Sequence, residues 1–234
     1  VHLDGTHQVG GVKPLDVPRS KLTLSLQTAA MATVLSDRGT SIAVANSIDS
    51  VWTMARHVDA VLQPLSPMPD EIRLVQDFLR TEISPDFELV GLLGKGVGVH
   101  HAGLSDEARA LIEWLAEEGK LKVLCATSTV AQGINFPVSS VFLASRYLPQ
   151  GHRAREMYPR EFWNLAGRAG RMNHDSVGVV GLAADERSQA QVAEFVSRAT
   201  GQLVSRLVNL LSELEQAGRL YQLETVIQGE QWED

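Results

Sequence analysis

The sequence predicts an α/β domain built on a doubly wound, mainly parallel sheet flanked by helices, with a small helical C-terminal extension. Three observations lead there. Short β-branched runs alternate with longer amphipathic segments. The short runs are almost wholly apolar, as strands buried on both faces of a parallel sheet must be. After Asp185 the alternation stops and only helical spacing continues.

Taken in order, residues 1–20 contain Gly5, Gly10, Gly11, Pro14 and Pro18 without a steady apolar period. We read residues 1–40 as a linker or the trailing end of an upstream domain. Leu22, Leu24 and Leu26 fit a short strand or the lead into a helix equally well. The predicted strands are Ser41–Ala45, Val97–His101, Lys122–Ala126, Ser140–Ala144 and Val177–Leu182. Helix-like spacing runs over Ile48–Leu62 and Glu71–Thr81, and Ser105 is placed to cap a helix that Gly119 would end. Residues 41–184 form the predicted α/β domain. Residues 185–234 form the extension, where Leu203, Leu207, Leu210, Leu211 and Leu214 recur on one apolar face suited to core packing.

The 234 residues are 44% hydrophobic and 6% aromatic, an ordinary globular composition that excludes collagen-like and disordered classes. No apolar run is long enough to span a membrane, and VHLDGTHQVGG lacks the pattern of a secretion signal. The lone Cys125 in an apolar run suits a reducing, cytoplasmic setting. With 21 Lys and Arg against 28 Asp and Glu, the net charge of −7 has the wrong sign for bulk attraction to nucleic acid. Any such contact must be local, and the stretch holding Arg146, Arg153, Arg155, Arg160, Arg168 and Arg171 against Glu156 and Glu161 is the basic segment of an acidic chain.

The run NLAGRAGRMN, Asn164 to Asn173, carries the strongest chemical signal. Its two arginines, three apart and each preceded by glycine, would set two guanidinium forks on a tight turn where the backbone can approach a ligand. A planar, permanently charged fork matches the oxygens of a transferring phosphoryl group. The plain alternative is a surface turn with two solvated arginines. His100 and His101 suggest a metal, but neighbours on a strand face opposite sides and no ligand set lies at a useful spacing, so packing is expected and no metal site. GKGVG, Gly94 to Gly98, is not a phosphate loop, because it lacks the GxxxxGK[ST] spacing and Val97 stands where a hydroxyl should bind magnesium.

GVGVHHAGLS (Gly96 to Ser105), KVLCATSTVAQGINFP (Lys122 to Pro137) and the GRAGR run follow one another in an order that resembles the later motifs of superfamily 2 helicases. The resemblance is closest to the Ski2-like and Hel308-like group of DEAD/DEAH-box helicases. VANS, Val44 to Ser47, falls where that family has its motif IV. The resemblance covers roughly residues 40 to 182 and implies the second, C-terminal RecA-like domain. It further implies that Arg168 and Arg171 are arginine fingers reaching an ATP γ-phosphate, and that Gly133, Asn135 and Asn164 are nucleotide-contacting or coupling residues. Ser47, Thr127 and Thr129 would then lie on loops that grip one strand of DNA or RNA, single-stranded or partly duplex. Helix capping is the competing role for Thr127 and Thr129. Asn164 departs from the family, which carries Gln or His there; it keeps the amide on a shorter side chain with less reach.

The sequence contains neither a phosphate loop nor a DExH segment. ATP and Mg²⁺ are therefore expected to be held mainly by an upstream RecA-like domain of the same chain, and the 234 residues alone to be inactive. Two other functions use the same features: a non-enzymatic docking module, and a translocase or remodeller that moves on nucleic acid without unwinding it. The intact arginine pair argues against the first, and nothing in the sequence separates the second.

Overall fold

The computed structural model describes residues 23–128, 138–150, 153–170 and 178–199. Its centre is a five-stranded sheet with every pair parallel. The strands are β1 (Ser41–Ala45), β2 (Val97–His100), β3 (Val123–Thr127), β4 (Ser140–Leu143) and, last in the chain, β7 (Val179–Leu182), in the spatial order β2-β3-β1-β4-β7. β1, at the centre, is buried along its whole length. That is why SIAVA shows no polar alternation: both faces are covered. The order reverses across β1, since the chain passes outward to β2, returns through β3 beside β1, and only then crosses to β4 and β7. This is the doubly wound, RecA-like α/β arrangement expected from the sequence.

Helices α1 (Leu24–Val34) and α2 (Ile48–Val61) lie side by side on one face of the sheet. α5 (Asp106–Glu117) covers the other. The side-chain alternation of β2 shows the two faces directly. A Cβ at Gly98 would come within 3.4 Å of Ile112 in α5, and His100, two residues on, bonds Glu113 of the same helix. His101, one residue further, lies edge-on to Trp52 of α2. α3 (Asp70–Glu82) and α4 (Glu88–Leu93) fill the long crossover from α2 to β2. Burying Val51, Met54, Ala55 and Val58 of α2 removes one continuous stripe from water, worth roughly 1.5–3 kcal/mol for each larger side chain.

The alternatives left open around Leu24 resolve as helix, capped by Thr23. Leu26, Ala29 and Ala32 of α1 are buried in the core, so part of the stretch read as a linker (1–40) packs on the sheet. Ser105 caps α5, and Gly119 takes the left-handed conformation (φ +64°) that ends it. Gly94 is the C-cap of α4 and Gly96 turns (φ +76°) into β2, so GKGVG is a helix-to-strand turn.

One element has no counterpart in the expectations. Between β4 and helix α6 (Pro159–Ala166) the chain forms an antiparallel hairpin, β5 (Tyr147–Gln150) and β6 (Arg153–Glu156), separate from the main sheet. After β7, residues 189–199 are helical, and Phe195 packs edge-to-face on Phe162 of α6. No described helix is long and apolar enough to cross a membrane.

Candidate functional site

Two groups of expected site residues stand at opposite ends of the sheet. At the carboxyl ends of the strands, Ala45 of β1 is in register with Thr127 of β3. Ser47, two residues past Ala45, and Thr127 therefore emerge side by side. Thr127 is the one residue of β3 that is not fully buried. Ser47 is exposed and caps α2: its hydroxyl accepts from the Ser50 amide at 3.2 Å and donates to the Ser50 hydroxyl at 2.8 Å. For Ser47 the capping role is thus visible in the geometry. The first turn of α2 beside it offers amides and a dipole that favour an anion.

The arginine-bearing turn lies elsewhere. α6 is followed by Gly167, its C-cap, and the chain then folds onto the segment leading into β4. The Val138 amide donates to the Arg168 carbonyl at 3.3 Å and the Gly170 amide to the Val138 carbonyl at 2.8 Å. Gly170 adopts φ +87°, which a side chain would strain. Gly178, just before β7, sits so close that a Cβ there would come within 2.5 Å of the Ala169 backbone. The turn is held at the amino ends of β4 and β7, not at the carboxyl ends where ligands of doubly wound sheets usually collect. The chain leaves β4 at the carboxyl edge, and α6 carries it back to the opposite one. Arg168 is half-buried. Asn164 is exposed in α6, four residues before Arg168. Thr129, Gly133, Asn135 and Arg171 lie outside the described residues.

The basic segment proves less free than its sequence suggests. Arg146, only 9% exposed, donates to Glu156 at 3.0 Å, to the Tyr147 hydroxyl at 2.7 Å and to Gln191 at 3.2 Å. Arg198 reaches the other Glu156 oxygen at 2.6 Å. Arg155 forms a two-pronged pair with Glu161, whose carboxylate also accepts from the Tyr158 amide at 2.7 Å. Arg198 foremost, with Arg146, holds the Glu156 carboxyl below the usual range, and Arg155 does the same for Glu161. Three of the arginines at this locus therefore fasten the hairpin root to α6 and to the helix over 189–199. Sequence reading found the arginines but missed the hairpin; its short strands lie among polar residues and carry no apolar run.

The two histidines go to separate neighbours. His100 Nε2 is 2.6 Å from Glu113, and His101 Nδ1 accepts from the Gly103 amide at 3.0 Å. Burial lowers the pKa of both below the ordinary histidine value, so they pack as neutral rings. Burial likewise pushes the Cys125 thiol up to about 12, which leaves it inert.

The sheet order, with strand-edge hydroxyls at one end and a glycine-bounded arginine turn at the other, defines a RecA-like domain. Comparison with known proteins narrows this. No family model matches the chain. It is 46% identical over 89 residues to the antiviral helicase SKI2 of Saccharomyces cerevisiae, covering 38% of this chain and 7% of that protein. It is 32% identical over 169 residues to the Hachiman protein HamB of Bacillus cereus, covering 70% and 15%. With the ATP-dependent RNA helicase mtr4 of Schizosaccharomyces pombe it shares 38% identity over 106 residues, covering 45% and 10%. The chain belongs to the Ski2-like, DExH-box family of superfamily 2 helicases. Its matches span between 7% and 15% of the length of the relatives named here.

Proposed function

We propose that this chain is the second RecA-like motor domain of an ATP-dependent nucleic-acid helicase. In this reading ATP and Mg²⁺ are held by a first RecA-like domain, and Arg168 and Arg171 meet the γ-phosphate when the two domains close. Asn164, Gly133 and Asn135 contact the nucleotide or couple the two domains. The loops bearing Ser47, Thr127 and Thr129 hold the phosphates of one strand. What supports the reading most is that the Ser47 and Thr127 edge and the Gly167–Gly170 turn stand at opposite ends of one rigid sheet. A single body can then meet a nucleotide at one edge and a strand at the other, so closure on one is felt at the other without bending the sheet. Guanidinium forks add their stabilisation where charge builds on the transferring phosphoryl oxygens, and contacts to phosphates grip a strand without reading its sequence.

The test is Arg168→Ala and Arg171→Ala in the full natural protein. Each should lower kcat for ATP by on the order of 10³ to 10⁵, with a smaller change in ATP affinity, because the contact is strongest in the transition state. Lysine should rescue poorly, since a point charge does not reproduce the fork. Near-normal hydrolysis in either variant would remove that arginine from the mechanism.

A further inference from the structure

Trp163, in the second turn of α6, is bonded through its side chain and through its main chain to two different parts of the molecule. Its indole Nε1–H donates to the Ala199 carbonyl at 3.0 Å, and its own carbonyl accepts from the Gly167 amide at 2.8 Å. The first bond reaches the helix over 189–199; the second enters the turn that carries Arg168. Beside it, Phe162 packs edge-to-face on Phe195, with ring centroids 5.6 Å apart and planes at 87°. Phe162, Phe195 and Ala199 are all buried, so water does not compete for these contacts. The motor reading above gives none of them a task.

α6 needs such a hold. At eight residues it is too short to be stable on its own hydrogen bonds, so what it packs on sets its position. The helix over 189–199 is a firm support because it starts from the sheet. The Ala183 amide, just after β7, donates to the Leu143 carbonyl of β4 at 2.9 Å. Asp185 and Ser188 then lock the turn that opens the helix: the Ser188 amide donates to the Asp185 carboxylate at 2.8 Å, and the Asp185 amide to the Ser188 hydroxyl at 3.1 Å. Farther along, Arg198 pairs with Glu156 at 2.6 Å. A shift of α6 against this support passes to Gly167 through the Trp163 carbonyl. It reaches Arg168 as well, whose amide bonds the Leu165 carbonyl at 3.2 Å. Group transfer tolerates little misplacement, and an error of about 1 Å costs on the order of 10²-fold in rate.

We propose that Trp163 is a positioning residue for the arginine turn, and that the helix over 189–199 is the brace against which it sets Arg168 at the γ-phosphate. The proposal rests on the motor-domain reading above. Trp163 acts through Arg168 and not on the nucleotide itself, because its N–H is already committed to Ala199. Strand binding at Ser47 and Thr127 belongs to the other edge of the sheet and is not governed by the brace.

The experiment is steady-state ATP hydrolysis by the full natural protein, with the affinity for labelled oligouridylate and oligodeoxythymidylate strands measured beside it. Trp163→Phe keeps an aromatic ring against Phe162 and removes the N–H. It should lower kcat roughly tenfold to a hundredfold. The KM for ATP, which the first domain holds, and the strand affinities should barely change. Ser105→Ala, which removes a helix cap elsewhere, controls for lost stability and should leave kcat alone. In the Arg168→Ala background Trp163→Phe should cost little more, since the group it places is already gone. Arg198→Gln loosens the same brace from an exposed side chain and should lower kcat in the same direction; it decides the matter if Trp163→Phe does not fold. The brace proposal alone falls if Arg168→Ala lowers kcat while folded Trp163→Phe, or failing that Arg198→Gln, hydrolyses ATP like wild type. It falls equally if Ser105→Ala slows hydrolysis as much as Trp163→Phe, or if Trp163→Phe costs the same with and without Arg168. If Arg168→Ala itself keeps the wild-type kcat, the arginine-finger reading falls and takes this proposal with it.

Discussion

Gly178 is where a single missing Cβ decides the most. With the Ala169 backbone only 2.5 Å from where a side chain would begin, Gly178→Ala must push the arginine turn away from Val138 or distort the start of β7. We expect a loss of about 1–3 kcal/mol, the usual cost of overpacking, read as a lower urea midpoint. In the full natural protein ATP hydrolysis should fall further than that loss explains, because Arg168 rides on the displaced turn. The histidines give a second residue-scale prediction. Burial lowers the folded-state pKa of His100 and His101 below the ordinary 6.5. Their contribution to stability is therefore complete above about pH 6.5. It is lost as pH falls through that value towards the lowered folded pKa, at up to about 1.4 kcal/mol per pH unit for each ring. Urea midpoints measured from pH 7.5 downward should show this slope, and His100→Gln should flatten it.

At the scale of elements, α5 and α2 begin on serine caps of different meaning. Ser105 only caps, so Ser105→Ala should cost about 1 kcal/mol and leave strand binding alone. Ser47 caps α2 at the edge proposed to hold a strand, so Ser47→Ala should cost about as much and also weaken binding. Equal affinity for the two variants across a salt titration would reduce Ser47 to a cap. The β5–β6 hairpin is held from outside itself. Two strands without a sheet are marginal in water, and here Glu156 takes Arg146 and Arg198 while Asn46 takes the Tyr147 carbonyl. Glu156→Gln, which weakens both pairs, should loosen the hairpin before the sheet. Hydrogen exchange should rise first in the amides of β5 and β6.

For the whole molecule, the sequence holds the arginines and no phosphate loop. The 234-residue chain by itself should release no phosphate from ATP above background, with or without DNA or RNA. Stimulated turnover by this chain alone would overturn the division of labour proposed here. Two separate edges on one sheet also mean that defects should separate. Thr127→Val should impair strand binding before hydrolysis, and Arg168→Ala hydrolysis before strand binding.

What the amino-acid sequence determined by itself was whatever is local or periodic. Ser41–Ala45 reads as a buried strand because five apolar or small residues in a row leave no exposed face. Ser105 and Gly119 bracket α5 because capping chemistry needs only neighbouring residues. The glycine-arginine run around Arg168 is visible because it is written in consecutive letters. The tertiary structure alone decided what depends on residues distant in the chain. Glu156 is far in sequence from Arg198, so nothing local announces that the basic segment is half neutralised or that a hairpin rises from it. Nor does local spacing say that α6 carries its arginine turn back to the amino edge, while Ser47 and Thr127 follow adjacent strands out at the other. Strand register and helix direction fix those positions, and both are settled only when the sheet closes around its core.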